Sequence, residues 1–223
     1  MQTNRVNHKC SWCLCLPVNK SLLMSREDFA NQKKQILCAS DLSKKGSIDL
    51  PIQSLVEYLN NIDEYVTTSS CSGRIIVFCE DKVEGHLKKG CKWLYTSHDV
   101  VEDGILISKL DPTEGNIILK FEPFILHVQC YNLDAAKLML TCALESGFKN
   151  SGLVVGKHGK VVLAVRSCLS LEVPLSNEGS LLVSEEYLKY LVTIANDKLT
   201  ENLKRTEKFH QRVRELFHNQ QLK

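Results

Sequence analysis

The sequence predicts an α+β fold: a compact single domain, unlike a doubly wound Rossmann-type sheet. Three observations carry this. Short β-branched or aromatic runs recur through the middle of the chain, bounded by Gly, Asp and Pro. Helical periodicity appears at both ends and once between the runs, without a regular strand-helix-strand rhythm. No G-x-G-x-x-G loop follows the first strand.

The elements follow in order. Residues 1–25 read as an irregular extension, in which Cys10, Cys13 and Cys15 have zinc-like spacing but no recognisable fourth ligand, so no metal is assigned. Residues 26–217 form the expected domain and 218–223 a tail. A polar helix is expected from Arg26 to Asp41, and a second opens at Pro51 with Leu55, Val56 and Leu59 on one face. Strands are expected at 74–79, 92–97, 116–121 and 124–130, with a hairpin loop at 82–90 and a short helix within 99–110. Leu133–Glu145 is a helix with Asn132 as N-cap and Gly147 as its stop. Strands follow at 153–155, 161–165 and 171–175, and a long helix starts near Ser184. A glycine, a base and an apolar strand occur both at Gly73–Phe78 and at Gly159–Ala164, which suggests duplication of a strand-helix-strand unit.

A 43% hydrophobic content over 223 residues supplies a core, and no apolar run approaches the ~20 residues of a membrane span. Ten cysteines, several within apolar segments, fit reduced thiols and a cytoplasmic location. The net charge of +2 neither requires nor excludes RNA.

Chemistry concentrates in a few segments. Thr67–Arg74 reads as a compact anion-binding loop in which Ser70 and Ser72 offer hydroxyls. There Gly73 lets the backbone approach a ligand, and Arg74 clamps a carboxylate or phosphate. Ser151 and Gly152, with Lys157 and Lys160 beyond them, suit loops over phosphate or ribose. His98 ends a strand and His127 lies inside one. Glu122, amid Phe121, Pro123 and Phe124, is either a proton acceptor in apolar company or the partner of Arg74 or Arg166.

Five ordered blocks, Ser69–Arg74, Trp93–His98, Lys120–His127, Ser146–Gly152 and Leu171–Leu175, together resemble the wybutosine-synthesising protein 3 family of eukaryotic type, over about residues 33–217. The resemblance implies an S-adenosylmethionine-dependent enzyme that methylates N4 of an aminocarboxypropyl-bearing 4-demethylwyosine. That base lies 3′ of the anticodon of phenylalanine tRNA. On this reading Ser70, Ser72, Gly73, Arg74, Ser151 and Gly152 hold the cofactor, Arg166, Lys157 and Lys160 hold substrate, and Glu122, His127 or His98 handles the proton. The final helix, with Lys204, Arg205, Lys208, Arg212 and Arg214, either follows RNA phosphates or is a solvated face balanced by Glu201, Glu207 and Glu215. The rival readings are a non-catalytic RNA- or nucleotide-binding module and a zinc-dependent interaction protein.

Overall fold

Two long strands form the centre of the computed structural model, which describes residues 24–39, 46–80, 91–102 and 104–221. The elements are α1 (Arg26–Cys38), α2 (Leu50–Asn60), β1 (Tyr65–Glu80), β2 (Lys92–Ser97), α3 (Ile105–Lys109), β3 (Asn116–Cys130), α4 (Leu133–Glu145), β4 (Gly152–Val155), β5 (Val161–Arg166) and β6 (Leu171–Pro174). The short pair β7 (Ser176–Asn177) and β8 (Ser180–Leu181) precedes α5 (Glu185–Gln221). The expected Cys10, Cys13 and Cys15 cluster and the 82–90 loop lie outside the described residues.

The main sheet has the order β2-β1-β3-β5-β4, every pairing antiparallel, and β6 takes the edge of β3 beyond the end of β5. This bears out a mixed α+β domain with a long C-terminal helix. Gly73–Phe78 and Gly159–Ala164 fall on β1 and β5, which flank β3, but Gly73 is within its strand whereas Gly159 closes a turn before β5.

The helices form where the caps and apolar spacing indicate. Ser25 caps α1 by accepting from the Asp28 amide, and Asn132 caps α4 by accepting from Ala135. Gly147 follows α4 at φ +97°, a left-handed stop. α1 ends at Cys38, before the expected Asp41.

Two expectations are corrected. Thr67–Arg74 is part of β1 rather than a loop, and the runs at 116–121 and 124–130 are one strand, β3. The breakers responsible face each other: Gly73 is the register partner of Pro123. Pro123 is tolerated because β5 pairs from Ile125 onward and β6 stops at Phe121, so no strand needs an amide at that point. Both strands change parity here. Ile117, Leu119 and Phe121 pack with Ile75, Val77 and the first half of α5, through Leu188, Leu191, Ala195 and Leu199. Beyond Pro123, Phe124, Leu126, Val128 and Cys130 pack with α2, α4 and the later α5 residues Phe209 and Val213. α5 therefore spans both clusters.

Helices α2, α4 and α5 cover one face of the sheet. On the other, among the described residues, α1 covers only the end at Val66 and Gln129, with the Gln129 amide donating to Gln32 at 2.9 Å. The rest of that face carries the polar side chains described next. No helix of the described residues is long and apolar enough to cross a membrane.

Candidate active site

The parity change decides which residues of the Thr67–Arg74 segment face outward. Ser69 stands opposite His127 on the uncovered face, whereas Ser70 stands opposite Leu126 and shares its helix-covered side. Ser69 Oγ lies 2.8 Å from His127 Nδ1, and Arg166 Nη2 lies 3.4 Å from His127 Nε2. A guanidinium only donates, so Nε2 is the acceptor and Nδ1–H donates to Ser69. Partial burial, and then the Arg166 charge, hold the His127 pKa below its ordinary value. The imidazole is thus neutral at pH 7, with its lone pair on Nε2. The Arg166 amide donates to Ser151 Oγ at 3.0 Å, and Gly152 follows at the start of β4, in register with Ala164.

A second pair occupies the same face. Arg74 Nε and Nη2 donate to Glu122 Oε2 at 2.9 and 2.8 Å, and the guanidinium lies over the Trp93 ring at 4.7 Å. Of the open alternatives for Glu122, the structure shows pairing with Arg74. Salt bridge Lys120–Glu172, at 2.9 Å, extends the polar strip toward β6.

Behind the face, a buried polar cluster holds β1 in place. The Ser72 amide and hydroxyl both donate to Asp49 Oδ2, at 2.9 and 3.1 Å, from the N-cap residue of α2. Asn202 of α5 accepts from the Phe124 amide at 2.7 Å and donates to the Ser72 carbonyl at 2.8 Å. Its amide bridges β1 to β3 at their change of parity. His98 Nδ1 donates to the Gly73 carbonyl at 2.9 Å, with Ser72 Oγ 3.2 Å away.

Ser72 and Gly73, expected as direct ligand contacts, therefore have their polar groups engaged by protein, and the nitrogen of His98 nearest them serves the backbone. Lys157 and Lys160 sit in the turn before Val161, at the opposite end of β5 from Arg166. Ser69, Trp93, Asp49, Gln129 and Asn202 were not expected. Asn202 had left a signal, a polar residue on the same helical stripe as Ala195, Leu199 and Phe209.

Asp49, Cys71 and His98 bring potential metal ligands within 4.8 Å of one another. Ser72 already donates to Asp49, His98 Nδ1 faces a carbonyl, and burial pushes the Cys71 thiol pKa up. This set does not favour an ion.

The open face suits the carboxylate of an amino-acid cofactor, because it offers the Arg74 and Arg166 guanidinium groups. Gln129 Oε1, a buried acceptor with no donor among the described residues, lies under α1 and outside that face.

Residues 30–215 match the family model described as methyltransferase TYW3. The chain is 46% identical over 191 residues to the tRNA wybutosine-synthesizing protein 3 homolog of Danio rerio, covering 83% of this chain and 74% of that protein. It is 46% identical to the Homo sapiens homolog, covering 82% and 71%. Among solved structures, the PH1069 protein of Pyrococcus horikoshii superposes with a TM-score of 0.75 at 31% identity, covering 83% of this chain and 96% of that one.

Proposed function

The chain belongs to the methyltransferase TYW3 family, enzymes of tRNA wybutosine synthesis, and from that membership we propose its reaction. The methyl donor is S-adenosylmethionine, the acceptor is N4 of 4-demethylwyosine bearing an aminocarboxypropyl arm, and the substrate is phenylalanine tRNA. The observation that carries the site is a neutral imidazole with Arg166 beside it, on the same sheet face as the Arg74–Glu122 pair further along β1 and β3.

S-adenosylmethionine, when bound, supplies an electrophilic methyl group. The residues of this chain bind, orient and accept a proton. Arg74 is fixed by Glu122 and Trp93, and its remaining N–H donors are available to a carboxylate, either that of the cofactor or that of the substrate's arm. His127 Nε2, freed as Arg166 leaves its long 3.4 Å contact for a bound carboxylate, takes the proton that the acceptor base gives up, and Ser69 holds the ring through Nδ1. Glu122 orients Arg74, Arg166 tunes His127, and Ser151 fixes the backbone beneath Arg166.

Nucleoside mass spectrometry tests the proposal, with tRNA from cells lacking the enzyme and purified protein. Wild type is expected to convert the demethyl nucleoside; failure to do so removes the functional reading. Loss of a hydrogen-bonded charge contact costs about 1.5–3 kcal/mol, so Arg74→Ala is expected to lower kcat/KM by about 10- to 100-fold. A folded Arg74→Ala enzyme with full turnover would remove Arg74 from the site.

The pH profile is a separate test. His127 acts when neutral, and its lowered pKa keeps it neutral below the ordinary value of 6.5. The acid limb of kcat/KM therefore lies below 6.5 in wild type. Arg166→Gln removes a neighbouring positive charge, so the limb should move up toward 6.5. An unmoved limb would separate it from His127.

A further inference from the structure

The strongest feature outside this face is a cavity of about 500 Å³ between the end of α4 and the middle of α5. Its charges are unevenly compensated. Arg205 is held by Glu201 at 2.7 Å, and Arg212, beside the cavity, by Glu145 at 2.7 Å. Both lining carboxylates are thereby occupied. Lys149, Lys204 and Lys208 line the same space, are exposed, and form no close ion pair among the described residues, although Lys204 feels the Glu201 carboxylate at longer range. Lys204 and Lys208 are one helical turn apart on α5 and so share a face. The carbonyls at the end of α4 would repel an anion, but Arg205 lies against Gly147 and donates to its carbonyl at 3.3 Å. The groove is cationic despite the helix end beneath it.

Its position links it to the open sheet face. Cys168 lines the groove two residues after Arg166, and Lys149 lines it two residues before Ser151. The Arg166–Ser151 hydrogen bond closes the boundary between the two regions. No aromatic ring lines the groove, so it lacks a platform for stacking a base.

We propose that this groove carries the sugar-phosphate backbone of the tRNA next to the modified nucleotide, with Lys149, Lys204 and Lys208 as phosphate contacts. The inference rests on the functional reading above. It narrows the RNA-binding part of α5 to two lysines, joined by one from the α4–β4 loop, and assigns Arg205 and Arg212 to the protein scaffold. The contacts are to phosphate, so they add affinity and orientation but no base discrimination.

The test is tRNA binding and methylation by a Lys149→Gln/Lys204→Gln/Lys208→Gln variant over a range of salt concentrations, using tRNA from cells lacking the enzyme. Each phosphate contact contributes about 0.7–0.9 to the slope of log affinity against log salt. The variant is expected to bind with a slope shallower by about 2 and a KM for tRNA raised on the order of tenfold at moderate salt. A triple Lys→Arg variant should restore the slope, which a folding defect would not permit. Wild-type slope and KM in the Gln variant, with wild-type enzyme active, would overturn the groove alone. A wild-type enzyme inactive on this tRNA would overturn the functional reading, and this inference with it.

Discussion

Gly73→Ala is expected to destabilise the protein by about 4 kcal/mol, a large share of a domain's total of about 5–15 kcal/mol. Two effects add. Gly73 sits at φ +102°, where an L side chain is strained by about 1–3 kcal/mol. A Cβ there would also lie 2.8 Å from Asn202 Nδ2 and 3.2 Å from both the Glu122 carbonyl and the Phe124 nitrogen. Asn202 is locked by two hydrogen bonds, and the other two atoms are backbone of β3, so relief requires opening the ladder; overpacking of this kind costs about 1–3 kcal/mol. Urea unfolding checks it through a lower midpoint at unchanged slope. A loss under about 1 kcal/mol would mean that β1 and β3 separate easily at this point.

Asn202→Ala is expected to cost about 3 kcal/mol, because it strands two backbone groups, the Phe124 amide and the Ser72 carbonyl, in the interior. The Asp substitution discriminates further. Asp keeps the acceptor for Phe124 but turns a carboxylate oxygen toward a carbonyl, near Asp49. At neutral pH it should be less stable than Ala. Burial raises the folded-state pKa of the new carboxyl above its unfolded value. Relative to Ala, its stability should therefore recover as pH falls through that folded pKa, where the protonated group regains a donor. If Asp matched wild type at neutral pH, the bridge between the strands would be dispensable.

These two residues also mark what the sequence conceals. The boundaries of α4, β5 and β6 and the start of α5 are written locally, in caps, glycine stops and apolar spacing, and the structure reproduces them within a residue or two, while α5 runs to Gln221 through part of the expected tail. The lengths of β1 and β3 are not local. Gly73 and Pro123 each read as a chain breaker, and only their pairing across 50 residues turns two apparent loops into one continuous ladder. That misreading carried into the site. Taken as a loop, Thr67–Arg74 presents all its polar groups; taken as a strand with a change of parity, it turns Ser69 and Arg74 outward and commits Ser72 to Asp49 and Asn202. The Arg74–Glu122 pair was one of two pairings legible in the sequence, but Ser69 and Arg166 as partners of His127 were not, because those contacts join strands far apart in sequence.

The Asn202 bridge has a use of its own. The Phe124 amide hydrogen belongs to a central strand, yet a side chain of the last helix holds it. Its exchange with deuterium therefore requires α5 to lift away from the sheet, as fraying of the ladder alone does not expose it. Followed by nuclear magnetic resonance, that single proton gives the opening free energy of the helix against the sheet, at the position where both buried clusters meet.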